Sequence, residues 1–333
     1  MTTPAQGRTA AEDALRLGLI CGVGAYAIWG FLPVYLKQLS FASPWEVVAH
    51  RIVWSVPFGA LLLTTRKQWP EVRAALAAPR VLALLGLASL FIAANWTLYV
   101  WAVANGQVLA ASLGYYINPL MFIAAGVVVL REKLNRLQIA AIALAAAGVL
   151  TLTIGAGVFP VVSVALAFLF TGYGYVRKTT PVGAMPGLFL ETCLLSPFAA
   201  FYLFWLWRQG GLAFGAHGAG ADALLIFAGP VTVVPLVLFA MAARRLKMTT
   251  VGFLQYIAPT GQLLLGLYYG ETFTLYHAVC FGLIWTALLM ISIDAVRRNR
   301  AEKLARCGAG VLPVGRTDET AASRAASESP KSS

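Results

Sequence analysis

Apolar residues run through most of this chain in uninterrupted stretches, and polar residues gather in short breaks between them. A hydrocarbon core of about 30 Å takes roughly 20 helical residues to cross. Read on that scale, the pattern predicts ten spans: Leu17 to Leu36, Trp45 to Thr64, Val81 to Ala104, Val108 to Leu130, Leu137 to Ile154, Pro160 to Val176, Met185 to Trp207, Ala223 to Ala243, Thr250 to Tyr269 and Leu275 to Ile293. Arg66-Lys67, Asn105-Gly106, Arg131-Glu132-Lys133, Gly155-Ala156-Gly157 and Arg177-Lys178 separate them, being too polar or too flexible to continue a lipid-facing helix. Runs such as Ile139 to Thr151 and Leu224 to Ala243 do not alternate apolar with polar, which excludes a membrane β-barrel. The expected fold is therefore an all-α integral membrane protein, because a helix satisfies its own backbone polar groups.

Composition agrees: 59% of the residues are hydrophobic and 11% charged, against roughly 25% charged in soluble domains. Charge adds orientation. Of the 25 Lys and Arg, only Lys37 and Arg208 fall in breaks on the far side from the N-terminus, and Arg51 lies inside the second span. Positively charged loops are retained in the cytoplasm, so both termini are expected there, in a multi-pass protein of the cell inner membrane. The net charge of +12 is scattered over loops and a tail rather than gathered on one face, which argues against a nucleic-acid partner. The expected partners are the lipid bilayer and a small-molecule substrate of unknown identity, and a homodimer is left open.

Residues 1–16 are expected to form a cytoplasmic tail, with no A-x-A cleavage site after the first apolar stretch and hence no removed signal peptide. Residues 295–333, rich in Ala, Ser, Glu and Lys, are expected to be a disordered cytoplasmic tail. Cys21, Cys193, Cys280 and Cys307 show no C-x-x-C spacing, and the first three read as buried apolar thiols.

An internal repeat organises the spans. Leu113-Gly-Tyr-Tyr-Ile-Asn-Pro-Leu120 laid over Phe253-Leu-Gln-Tyr-Ile-Ala-Pro-Thr260 matches Tyr116 with Tyr256, Ile117 with Ile257 and Pro119 with Pro259. The register carries Gly126 onto Gly266 and, with one residue of slippage, Glu132 onto Glu271. Two five-helix repeats follow, residues 17–154 and 155–294. An odd number of spans per repeat inverts one against the other, the plan of many secondary transporters with a central site. Pro119 and Pro259 are helix-kink candidates, since each removes a helix hydrogen bond, and a kink serves either a cavity or packing. Small residues such as Gly18 with Gly22, Gly266 with Gly270, and the alanines from Ala140 to Ala147 allow close helix approach.

Ionisable groups inside a span each need a partner or a wet cavity. Glu46 and His50 share a helix face at the start of the second span, and Arg51 lies roughly 7 to 8 Å inside it at 1.5 Å per residue. Arg51 is the leading anion-binding candidate, with an ion pair to Glu46 or Glu191, or snorkelling, as its structural alternatives. Glu191 alone among the carboxylates lies well inside a span, either as a proton-coupling group or as a static partner for a buried cation. Asn95 with Trp96 and Tyr99, Asn118 with Tyr116, and Gln255 with Tyr256 lie within spans three, four and nine. Amides beside aromatic faces suit an amphiphilic solute, although interhelical hydrogen bonding accounts for them equally.

Enzyme signatures are lacking: no H-E-x-x-H, no G-x-S-x-G, no paired intramembrane aspartates and no P-loop occur, and no cofactor or metal is implied. A membrane enzyme acting on lipid would need a carboxylate or histidine cluster at one interface. A receptor or scaffold would need a large polar loop, whereas the stretch Arg208 to Gly220 is short and glycine rich.

Several stretches resemble the RarD branch of the EamA-type drug/metabolite transporter superfamily. They are Tyr26-Ala-Ile-Trp-Gly-Phe-Leu-Pro-Val-Tyr35, His50-Arg-Ile-Val-Trp-Ser55, Asn95-Trp-Thr-Leu-Tyr-Val-Trp-Ala102, Ser112-Leu-Gly-Tyr-Tyr-Ile-Asn-Pro-Leu120, Tyr173-Gly-Tyr-Val-Arg-Lys178, Glu191-Thr192 and Gly252-Phe-Leu-Gln-Tyr-Ile-Ala-Pro-Thr260. The resemblance implies a bacterial inner-membrane permease with two EamA repeats around a central cavity, energised by gradients. It carries no substrate and no proven substrate-binding residue.

Overall fold

The structure is a computed structural model that describes residues 4–105, 108–157, 161–269 and 274–309. Gly106, Pro160, Gly270, Glu271 and the tail 310–333 therefore lie outside the described residues. Two compact units divide the chain, Met1–Leu288 and Leu289–Ser333, and the described part of the second, 289–309, is helical.

Twelve helices occur among the described residues: α1 Pro4–Gln38, α2 Pro44–Thr65, α3 Trp69–Leu76, α4 Pro79–Ala104, α5 Val108–Val128, α6 Arg136–Ala156, α7 Val161–Thr179, α8 Ala184–Arg208, α9 Ala219–Arg245, α10 Met248–Gln255, α11 Ile257–Tyr268 and α12 Leu275–Ala309. Seven of them contain stretches long and apolar enough to cross a membrane, and Leu113–Val128 is a shorter apolar helix. The outward faces carry large apolar side chains, with Phe198 75%, Phe201 71% and Val128 76% exposed. A surface of this kind is stable against lipid and unstable against water.

Three differences from the predicted spans have local causes. The first helix begins at Pro4 rather than Leu17, and the last continues to Ala309 rather than stopping at Ile293, so 295–309 is helical where disorder was expected. The break between spans two and three holds α3, whose Val72 and Ala75 are buried. Its eight residues are too short and too polar to register as a span. Span nine is broken at Tyr256 into α10 and α11. Pro259 sits in the first turn of α11, where a missing N–H costs nothing, so the break falls just before it. Pro119, by contrast, is inside α5, which continues through it.

The helices pack in a repeating scheme. α1 lies on α9 and α11, α2 on α8 and α9, α4 on α7 and α8, and α5 on α7 and α10. Glycines set the closest crossings. A Cβ on Gly229 of α9 would lie 2.4 Å from the Trp54 carbonyl oxygen of α2, and one on Gly252 of α10 would lie 2.7 Å from the Pro119 oxygen of α5. The expected close approach at Gly18 and Gly22 is present against Leu246 and Leu254. Cys21 and Cys280 are buried and Cys193 half-buried, all as free thiols.

Polar contacts tie one end of the bundle. Glu132, just after α5, accepts from the Met248 and Thr249 amides at 2.7 and 3.0 Å and from the Thr249 hydroxyl at 2.8 Å. A carboxylate thus caps the N-terminus of α10, where free N–H groups and the helix dipole favour negative charge. Lys178 Nζ donates to the Ala243 and Leu246 carbonyls near the end of α9. Glu132→Ala is expected to cost about 1 kcal/mol per lost capping bond. Hydrogen exchange at the Met248 and Thr249 amides checks it: both should exchange faster than in wild type, with α4 unchanged.

Candidate functional site

A cavity of about 150 Å³ lies at the centre of the first unit, lined from α1, α2, α4, α5, α7, α9, α10 and α11. Most of its lining follows helical spacing, so that one face of each helix reaches it. Tyr26, Trp29 and Leu36 come from α1, Ile92, Asn95 and Tyr99 from α4, and Tyr115 with Asn118 from α5. Gln255 ends α10, and Pro259 and Gln262 follow on α11, so the helix break delivers an amide to the cavity. Phe170 of α7 closes one wall, against Trp29 at 5.9 Å and Phe122 at 5.8 Å between ring centroids.

Among the described residues, Arg51 is the only one of formal charge in this lining. Its Nε donates to Thr232 Oγ1 at 2.9 Å, and its guanidinium carbon sits 4.8 Å from the Trp96 ring centroid. It also lines a second, adjoining cavity formed by the end of α1, the start of α2 and the end of α4. The ion pairs to Glu46 or Glu191 weighed from the sequence are not formed. Glu46 accepts from the Ala213 and Phe214 amides at 2.8 and 3.3 Å and meets His50 Nε2 at 3.6 Å. Glu191 pairs with Arg177, Nη1 to Oε1, at 3.1 Å.

Asn95 Nδ2 donates to the Leu166 carbonyl at 2.9 Å, and Asn118 Oδ1 accepts from Thr171 at 3.5 Å, so both amides bridge helices while facing the cavity. The Gln255 amide and the Tyr26 hydroxyl, both buried, lie within reach of each other and make no other hydrogen bond among the described residues. Each keeps hydrogen-bonding capacity beyond that mutual contact, so the pair marks a place where a solute's polar group would be accommodated.

Of the residues singled out from the sequence, Arg51, Asn95, Trp96, Tyr99, Asn118, Gln255 and Pro259 come together here. The others lie elsewhere. His50 accepts from Trp54 Nε1 at 3.2 Å, packs on Phe214 and helps hold the loop after α8. Tyr116 packs on Phe281, Tyr256 is buried at the helix break, and Pro119 is buried in α5. Glu191, 1% exposed, is fixed between Arg177 and the Tyr173 hydroxyl, which donates to it at 3.3 Å. Arg177, read from the sequence as a loop cation, is fully buried; its guanidinium lies over Gly187, where no side chain intrudes.

Tyr26, Trp29, Tyr115, Phe170 and Gln262 were not singled out for the site. Helical phase was the available signal: Tyr115, not Tyr116, shares a face with Asn118 three residues on, and Gln262 lies seven residues after Gln255.

A many-helix apolar bundle around a polar and aromatic cavity defines a multi-pass membrane transporter. Residues 16–154 match the EamA-like transporter family. Protein RarD of Streptomyces exfoliatus is 43% identical over 88% of this chain and 93% of its own length. An uncharacterised transporter of Vibrio cholerae is 40% identical over 89% and 98%, and the chloramphenicol-sensitive protein RarD of Pseudomonas aeruginosa 32% over 86% and 96%. A crystal structure of a protein aligns with a TM-score of 0.63 at 17% identity, covering 84% of this chain and 99% of its own, which bears on the fold alone. The chain belongs to the RarD branch of the EamA-like transporter family.

Proposed function

We propose that the chain is a secondary transporter that moves a small metabolite or drug-like solute across the bacterial inner membrane by alternating access, without enzymatic chemistry. Its ten spans form two inverted repeats, 17–154 and 155–294, with both termini cytoplasmic. The packing partners carry this reading. Pairing the repeats in chain order sets α1 against α7, α2 against α8, α4 against α9 and α5 against α10 with α11. Exchanging partners then turns α1 on α9 into α7 on α4, α2 on α9 into α8 on α4, and α1 on α11 into α7 on α5. The contacts α2 on α8 and α5 on α10 map onto themselves. A bundle related to itself in this way has two conformations of similar energy with one shared site, which is the requirement for alternating access.

With positively charged loops inside, the second cavity lies toward the outer face, while Glu132 and Lys178 tie the cytoplasmic ends of α5, α7, α9 and α10. That arrangement corresponds to an outward-facing state. Protons are the proposed coupling ion, with Glu191 as the membrane-buried carboxylate.

The test is uptake and efflux of a pooled labelled metabolite set in proteoliposomes under an imposed pH gradient. Gradient-driven flux of at least one compound is expected. Absence of flux for every compound, from protein shown to be folded, would reject transport in favour of a receptor or scaffold.

A further inference from the structure

We propose that the transported solute is a small monoanion, a carboxylate on an apolar or aromatic body, whose carboxylate is held by Arg51. The proposal rests on the transporter reading above and names the chemistry of its central site.

A guanidinium offers five N–H donors in a planar fork, and among the described residues only Nε is used, in the bond to Thr232. No carboxylate comes within 4 Å of it among the described residues. The nearby acids have other work: Glu46 holds the Ala213 and Phe214 amides, Glu191 holds Arg177, and Asp222 accepts from the Gly215 amide at 2.7 Å. Thr232 in turn donates to the Ala228 carbonyl at 2.8 Å, which leaves its oxygen free to accept from Nε and fixes that edge of the fork. Trp96 covers one face at 4.8 Å, and Arg51 lines the cavity with no hydrogen bond from its terminal nitrogens among the described residues.

An uncompensated cation in a membrane interior is expensive, and a bound anion lowers that cost directly. Carboxylate matches the fork in two parallel charge-assisted bonds. With one cation and no acid among the described lining residues, a monoanion leaves the loaded site neutral, whereas a dianion leaves a surplus charge and a cation is repelled. The charge balance also suits the transport cycle, because a neutralised site moves past apolar helices more readily than a charged one.

Trp29, Trp96, Phe170 and Ile92 supply apolar walls for the solute's body. Arg51 borders the second cavity and Gln255 with Tyr26 does not, so their polar groups lie away from that opening, where a distal polar substituent of the solute would be met.

Four probes of equal body and different charge test this: 3-phenylpropionate, phenylalanine, 3-phenylpropylamine and 3-phenylpropanol. Each is measured as a quencher of tryptophan fluorescence in the purified protein and as a competitor of the flux found with the pooled set. The carboxylate should bind at least about tenfold tighter than the amine or the alcohol, the worth of one good charge-assisted pair. Arg51→Gln should erase that preference, and Arg51→Lys should weaken it while keeping its sign. Should Arg51→Gln fail to fold, Arg51→Lys decides: unchanged carboxylate affinity in that variant overturns the proposal. Equal or tighter binding of the zwitterion, amine or alcohol by wild type also overturns it. Flux present without an anion preference rejects only the anion, whereas flux absent for every compound rejects the transporter reading beneath it.

Discussion

Glu191→Leu is expected to destabilise the fold by about 3–5 kcal/mol, because it strands a buried guanidinium without its counter-charge. Arg177 is fully buried, and its remaining side-chain contact, Nη2 to the Ala184 carbonyl at 2.8 Å, does not neutralise it. The guanidinium occupies the space beside Gly187 where a side chain would otherwise stand, so it is seated in the packed interior. Thermal unfolding in detergent would show a large fall in midpoint or loss of monodisperse protein. The double variant Arg177→Met with Glu191→Leu removes both charges at similar volume and should recover most of the loss, since apolar replacement of a buried pair is often neutral or better. The same double variant separates stability from coupling. Folded protein with pH-driven flux intact would make the pair structural and transfer the coupling role to another group; folded protein with gradient-independent exchange alone would keep Glu191 as the coupling carboxylate.

Gly229→Ala carries the second large effect. The added methyl would meet the Trp54 carbonyl oxygen at 2.4 Å and its carbon at 2.6 Å, both backbone atoms that no rotamer change can move aside. The crossing of α9 over α2 must open, which costs about 1–3 kcal/mol by the usual penalty for overpacking. The consequence reaches the site, because the same two helices carry Thr232 and Arg51, each three residues from the contact. Lower thermal stability is expected together with weaker solute affinity. Gly86→Ala is the control: nothing lies within 4 Å of its added methyl, and alanine's better helix propensity predicts a change between zero and a gain of up to ~1 kcal/mol. Equal losses in the two variants would show that helix crossing is not what Gly229 provides.

Much of the fold was legible because lipid imposes a one-dimensional rule. Each crossing needs its own apolar run, so span positions could be read from composition along the chain with errors of a few residues at most ends. The errors fall where that rule is silent. The short helix α3 lies outside the apolar runs, and the extensions of α1 and α12 are polar helix, which hydropathy does not distinguish from polar tail. The break at Tyr256 depends on where around Pro259 the backbone yields, and the same Pro-containing pattern leaves α5 continuous.

The site was half legible for a related reason. Polar residues inside apolar runs are conspicuous, which brought Arg51, Asn95, Asn118, Gln255 and Glu191 forward from the sequence alone. Aromatic residues inside such runs are not conspicuous, since lipid, core and cavity all accept them; Trp29, Phe170 and Tyr115 needed neighbours to be assigned. The same limit applies to partners. Sequence established that Arg51 and Glu191 each require a compensating group, because desolvation follows from position in a span. Only tertiary packing decided that Glu191 finds Arg177 and that Arg51 meets Thr232 and Trp96 but no carboxylate among the described residues, because pairing depends on which helix faces turn toward each other, and that is a property of the whole bundle.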